Sequence, residues 1–227
     1  MNRANGVHHL AITTADIKGQ IAFFSQVLGM ELVALYWMHG VKGALHGFLR
    51  LNDNSAVAFV QTPDIGKIER RIGQTHAGNP GLPCAGGTMQ HLALRVDSDD
   101  ELLAMRDRVR SHGVNIFGPM DHGFCKSIYF AGPEDLSLEI STSREAIDPN
   151  AWIDPEVVEL CDISADELAA YRSPEPYKAP AAPVPQPAPD PAKPQMHYPT
   201  AIYQKLVARS DQDYEARFSE TEPPVSV

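Results

Sequence analysis

Apolar and polar positions change period several times along the first 145 residues, and the changes mark out elements. The octet His9-Leu-Ala-Ile-Thr-Thr-Ala-Asp16 reads as a strand. Ile17, Ile21 and Phe24 then recur at helical spacing, with Asp16 placed to cap them and Gly29 to end the element. Alternating runs over about 31–36, 44–51 and 56–61 return to strands, with Gly, Pro, Asp and Asn turns between them. The same order then starts again. His91-Leu-Ala-Leu-Arg-Val-Asp-Ser98 matches the first octet position for position, and Ser98-Asp-Asp-Glu101 is a capping box ahead of Leu102, Met105 and Val109. Gly113 ends that helix, and strands follow over about 114–117, 125–130 and 136–141. Two βαβββ modules, about 6–62 and 89–143, joined by a Gly- and Pro-rich linker over 63–88, predict an α+β domain over 1–145.

The remainder, 146–227, is a different kind of chain. Ser164 and Glu167 have capping-box form before Leu168 and Tyr171, which predicts a short helix. Ten prolines between Pro174 and Pro199 exclude helix and sheet ladder, because each removes an N–H and fixes φ, so this stretch is an extended polyproline II strap. Thr200 is placed to cap a last helix through Ile202, Leu206 and Arg209, before Tyr214 and Phe218. The extension is too short and polar to build its own core, which predicts that it wraps across the partner in a homodimer.

Charge follows the same division. Residues 1–145 hold 13 Lys+Arg against 15 Asp+Glu, whereas 146–227 hold 6 against 14, so most of the net charge of -10 belongs to the extension. An acidic chain without clustered Lys and Arg is no nucleic-acid backbone binder. No apolar run approaches the roughly 20 residues of a membrane span, and the first residues lack the apolar core of a signal peptide, so a cytoplasmic protein with no membrane partner is expected. Cys84, Cys125 and Cys161 are distant from one another and lack CxxC spacing, which fits a reducing compartment and gives neither disulfides nor a zinc knuckle.

The chemistry lies in the repeat. On the last strand, Leu136, Leu138 and Ile140 point to the helices, while Ser137, Glu139 and Ser141 point to the other face. On the strand opening module two, Leu92, Leu94 and Val96 pack inward and His91 projects with Ala93; the matching residues of module one are His9 and Ala11. Alternation turns His8 away from His9, so one of the two at most faces a site. Two histidines from equivalent strands and a glutamate make a 2-His-1-carboxylate set with open coordination positions, suited to Fe(II), Mn(II) or similar ions.

With His9, His91 and Glu139 in place, the repeat resembles the vicinal oxygen chelate superfamily, which includes glyoxalase I, fosfomycin-resistance proteins and extradiol dioxygenases, over about residues 6–143. The resemblance implies an open eight-stranded barrel around a divalent metal, Fe(II) first, with Mn(II), Zn(II) or Ni(II) as alternatives. The segment His122-Gly-Phe-Cys-Lys-Ser-Ile-Tyr129-Phe-Ala-Gly-Pro-Glu-Asp-Leu-Ser-Leu-Glu139 is similar to one-domain extradiol dioxygenases, whose substrate-binding tyrosine also precedes the glutamate ligand by ten residues. This implies an oxidoreductase that opens the ring of a catecholic, vicinal-oxygen substrate with O2, with Tyr129 and His122 hydrogen-bonding or relaying protons.

The sequence also departs from that pattern. Where those dioxygenases carry an acid/base histidine before the last strand of module one, this chain has Asp53 and Asn54. In glyoxalase I-like members module one adds a Glu or Gln ligand matching Glu139; Val60 or Gln61 is its counterpart here, and Gln61 as a fourth ligand implies an isomerase or lyase instead. Some relatives of this type sequester small molecules without metal or catalysis.

Overall fold

Each repeat folds into its own four-stranded mixed sheet, and the computed structural model describes residues 3–226. Module one comprises β1 (His9–Thr13), α1 (Ile17–Ala22), β2 (Glu31–Trp37), β3 (Leu45–Asn52) and β4 (Ser55–Gln61). Its sheet order is β1-β4-β3-β2, with β1 and β4 parallel and the other pairs antiparallel. Module two repeats this with β5 (Leu92–Arg95), α2 (Asp99–Ser111), β6 (Phe117–Asp121), β7 (Lys126–Ala131) and β8 (Ser137–Thr142), in the order β5-β8-β7-β6. The α+β class and the doubled βαβββ order are as the periodicity requires.

The eight strands do not close into one barrel. Ladder hydrogen bonds run only within a module, and the register of β2 and β6, one edge strand of each sheet, shifts partway along, which interrupts a straight row of backbone groups. Strand β6 also begins later than the apolar run over 114–117 suggests. The Val114 N–H closes the end of α2 by donating to the Val109 carbonyl, so the ladder starts only after that turn.

The helices face inward and share one core. Phe24, Leu49, Val57 and Phe59 of module one join Leu102, Val109, Leu138 and Ile140 of module two in a single buried cluster, with the Phe24 and Phe59 rings 5.0 Å apart, edge to face. Two polar clamps hold the modules together. Arg108 on α2 donates to the carbonyls of Val27 (2.8 Å) and Gln26 (2.9 Å) at the end of the helical segment that follows α1. Glu134, in the turn before β8, accepts from the Thr14 hydroxyl, the Ala15 N–H (2.9 Å) and the Gln20 amide (3.0 Å). Burial alone raises the Glu134 pKa; the hydrogen bonds from Thr14, Gln20 and Ala15, with the charge of Arg70, outweigh it and hold the carboxyl below its ordinary range.

The extension has five short helices among the described residues: α3 (Pro149–Trp152), α4 (Pro155–Leu160), α5 (Ala165–Arg172), α6 (Thr200–Val207) and α7 (Asp211–Phe218). The Ser164/Glu167 capping box forms reciprocally at α5. Asp148-Pro149 and Asp154-Pro155 start α3 and α4 by the same device, a carboxylate cap followed by proline at the first helical position. Thr200 is not a cap: it is the first helical residue, after Pro199. The single terminal helix is two, because the Ser210 hydroxyl accepts from the Asp213 N–H and starts α7. The prolines between α5 and α6 carry neither helix nor ladder, and beyond α7 Glu220 reaches back to His39 of module one at 3.3 Å. Among the described residues no helix is long and apolar enough to cross a membrane.

Candidate metal centre

Two of the three expected ligands converge in module two. His91 stands just ahead of β5, and Glu139 lies buried in the middle of β8, paired in register with Ala93. His91 Nε2 is 3.0 Å from Glu139 Oε2. The other ring nitrogen, Nδ1, meets the Gln90 side-chain oxygen, which can only accept, so Nδ1 carries the hydrogen. Nε2 then faces the carboxylate, a contact that needs a proton or a cation between the two atoms. Two ligand bonds of about 2.1 Å at a right angle put their donor atoms about 3.0 Å apart, so the pair fits a divalent ion. The second oxygen of Glu139 accepts from the Ser141 hydroxyl, which in turn contacts the Ser127 hydroxyl at 2.8 Å. A carboxylate oriented in this way through its far oxygen is a common support for metal ligands.

Tyr129 lies directly across from Glu139 in the β7–β8 ladder, and its hydroxyl is 2.9 Å from His122 Nε2. The turn carrying His122 is fixed by its N–H, which donates to the Cys125 carbonyl. Burial, with the Glu139 charge adding to it, pushes the Tyr129 phenol above its ordinary pKa, so it stays protonated and able to donate. A cleft of about 640 Å³ brings His91, His122, Tyr129 and Glu139 together with Phe124 and Trp152. The last two escaped the sequence reading. Trp152 belongs to the extension, outside the repeat, and Phe124 lies in a turn where no periodicity applies.

His9 belongs to another surface. Its ring lies 5.4 Å from Phe48 and 6.5 Å from His46, on a module-one face where Tyr36 also stacks on Phe48. Among the described residues of one chain no three His, Cys, Asp or Glu side chains gather to hold a metal, so His9 does not join His91 and Glu139 within the protomer. His8 is not turned away from His9 as strict alternation predicts: it precedes β1, free of the pleat, and the rings lie 5.2 Å apart. His46 is buried; Tyr36 approaches its Nδ1 at 3.4 Å, and its Nε2 has no hydrogen-bond partner among the described residues. Burial, then the neighbouring His9 and His39, lower its pKa.

One expectation about module one is corrected. The residue matching Glu139 is neither Val60 nor Gln61 but Ala58: β1 pairs Ala11 with Ala58 as β5 pairs Ala93 with Glu139. The Gln61 side-chain oxygen accepts from the Ile17 N–H at the start of α1. Asp53 and Asn54 form the exposed two-residue turn between β3 and β4.

The sequence model of the Glyoxalase/Bleomycin resistance protein/Dioxygenase superfamily matches residues 6–140, which leaves the extension outside it. Similar solved structures include the glyoxylase/bleomycin resistance protein/dioxygenase domain from Frankia sp. EAN1pec, at 13% identity and TM-score 0.48, covering 63% of this chain and 100% of that one. The fosfomycin resistance protein FosX from Listeria monocytogenes is similar at 17% identity and TM-score 0.42, over 62% of this chain and 95% of that one. TnmS3, an antibiotic binding protein from Streptomyces sp. CB03234, is similar at 17% identity and TM-score 0.43, over 63% and 98%.

Proposed function

Because the chain belongs to the glyoxalase, bleomycin resistance protein and dioxygenase superfamily, we propose that it is a metal-dependent enzyme whose centre is shared between two copies. His91 and Glu139 of one protomer supply two ligands, and His9 of the other supplies the third. The 3.0 Å approach of His91 Nε2 to Glu139 Oε2 carries this reading, since a divalent ion held by both atoms at ordinary ligand distances sets them about that far apart. The homodimer is supported by the two open sheets. Leu35 and Trp37 on β2, and Phe117 and Met120 on β6, are exposed along edge strands that a second copy can cover.

The reaction we assign is extradiol-type cleavage of an aromatic diol by O2, with Fe(II) as the ion. When bound, such an ion supplies positive charge that acidifies adjacent hydroxyls and leaves positions open for a second reactant. The side chains do the rest. Glu139 is held by Ser141 so that one oxygen points into the cleft, and Gln90 fixes the His91 ring so that Nε2 does the same. The Tyr129 phenol donates to a substrate oxygen, and His122, 2.9 Å behind it, takes or returns the proton. Phe48, Tyr36 and the largely buried His46, brought by the second copy, close off water. Both atoms of O2 enter the product, so no external reductant is required. Ala58 in place of a fourth ligand supports this three-ligand set over a glyoxalase-like one.

The test is anaerobic reconstitution with Fe(II), followed by an oxygen electrode and absorbance with a panel of catechols. One O2 consumed per catechol, with a ring-opened chromophore, is the expected result. No uptake with any catechol overturns ring cleavage, and turnover with Mn(II), Zn(II) or Ni(II) in the absence of O2 moves the assignment to an isomerase or lyase.

A further inference from the structure

The family match stops at residue 140, yet the wall of the cleft does not. Beyond β8 the chain turns into α3, whose start is fixed by the Asp148 carboxylate accepting from the Asn150 N–H at 2.9 Å, with Pro149 at the first helical position. The Arg172 guanidinium at the end of α5 donates to the Asn150 side chain at 2.7 Å and braces the helix from behind. The braced element ends on Trp152, whose indole edge lies against Gly123. A Cβ at Gly123 would stand 2.7 Å from two indole carbons, and the backbone there has φ +85°, so glycine permits both the turn and the close approach. Next to it the Phe124 ring meets Trp152 edge to face, with centroids 4.8 Å apart. Both rings line the cleft that holds His91 and Glu139, and both keep open apolar surface: Trp152 is 48% exposed and Phe124 37%.

We propose that the C-terminal extension sets the substrate class of this site: Trp152, with Phe124, grips the ring plane of an aromatic ligand whose adjacent oxygens reach the His91/Glu139 end of the cleft. The inference rests on the metal-centre reading above and adds what that reading lacks, a group that separates aromatic from aliphatic oxygen chelators. Three features support it. The element carrying Trp152 is fixed at two points, the Asp148 cap at the start of α3 and the Arg172 hydrogen bond to Asn150. The pair is aromatic on two sides of an angle, the arrangement that holds a ring by face and edge. On the side of the cleft that holds His91 and Glu139 the two rings stand among no Lys, Arg or Asp, the charged Asp121, Lys126 and Arg144 bordering them on the other side, so toward the ligands they discriminate by shape and polarisability.

The chain has two tryptophans, so Trp37→Phe leaves Trp152 as the sole indole emitter. Full-length protein of that background, loaded with redox-inert Zn(II), is titrated with catechol and with oxalate, an aliphatic chelator, by fluorescence and by calorimetry. Catechol should change Trp152 emission. Trp152→Ala should weaken catechol about ten-fold, with oxalate unchanged within about two-fold, and Trp152→Phe should restore most of the loss. Equal weakening of both chelators overturns the proposal, as does catechol affinity unaltered by either substitution; Trp152→Phe, which keeps an aromatic ring, guards against simple misfolding. His91→Ala tests the underlying reading separately. If it leaves catechol and oxalate binding intact, the metal centre fails, whatever Trp152 does.

Discussion

Ala58 and Glu139 occupy the same register position in their two modules, Ala58 opposite Ala11 and Glu139 opposite Ala93, and each paired alanine follows a histidine, His9 or His91, by two residues. The duplication is therefore chemically unequal. Module two carries an imidazole with a buried carboxylate beside it, and module one carries an imidazole with only a methyl group at the matching place. One divalent ion per protomer is expected from elemental analysis, not two. His91→Ala and Glu139→Ala should weaken that ion at least about 100-fold, and Ser141→Ala, which only frees the far oxygen of Glu139, about ten-fold. Full metal content in His91→Ala would refute the assignment.

A centre shared between copies makes a sharper prediction. His9→Ala and His91→Ala homodimers should each be defective, yet subunit exchange between them should rebuild one intact centre in every mixed dimer. With random mixing that restores about a quarter of the wild-type centres. Metal content and activity that stay at the level of the separate variants after verified exchange would show that the ligands come from a single chain.

The Glu134 clamp has a defined pH signature. Its carboxyl titrates below its ordinary range in the folded chain, so the unfolded chain takes up the proton first as pH falls. The stabilisation is complete above the ordinary carboxylate range and is lost as pH drops through it. Glu134→Ala should cost about 2 kcal/mol near neutral pH, because the Thr14, Ala15 and Gln20 donors lose a charged acceptor. Urea unfolding as a function of pH should show a shallower acid loss for Glu134→Gln, which cannot titrate; identical acid branches would count against the clamp.

His46 gives the opposite test. Burial and two neighbouring imidazoles keep it neutral, so the folded chain resists a proton that the unfolded chain accepts. Stability rises with pH through the ordinary histidine range and is complete above it. Its Nε2 is also buried without a partner among the described residues. His46→Leu is expected to stabilise the protein by about 1 kcal/mol, and by more at about pH 5 than at about pH 8. A destabilised variant at both values would show that the ring makes a packing contribution larger than the cost of its orphaned nitrogen.

The sequence by itself determined what local physics controls. Leu136, Leu138 and Ile140 had to face the core and Glu139 the cleft, since a pleated strand permits nothing else once one face is apolar. Capping residues set α1, α2 and α5, and the proline run excluded regular structure between α5 and α6. Tertiary structure decided the relations that no periodicity encodes. Where a strand begins relative to its partner put Ala58, not Val60 or Gln61, opposite Ala11, and a one-residue change of register moves a side chain to the other face. His8 escaped alternation because it precedes the pleat. The packing of both helices into one core left two open sheets in place of a barrel, which puts His9 on one surface and His91 with Glu139 on another. Trp152 reached the cleft across a turn whose only local sign was a glycine, because side chains distant in sequence meet through packing, and packing is a property of the whole chain.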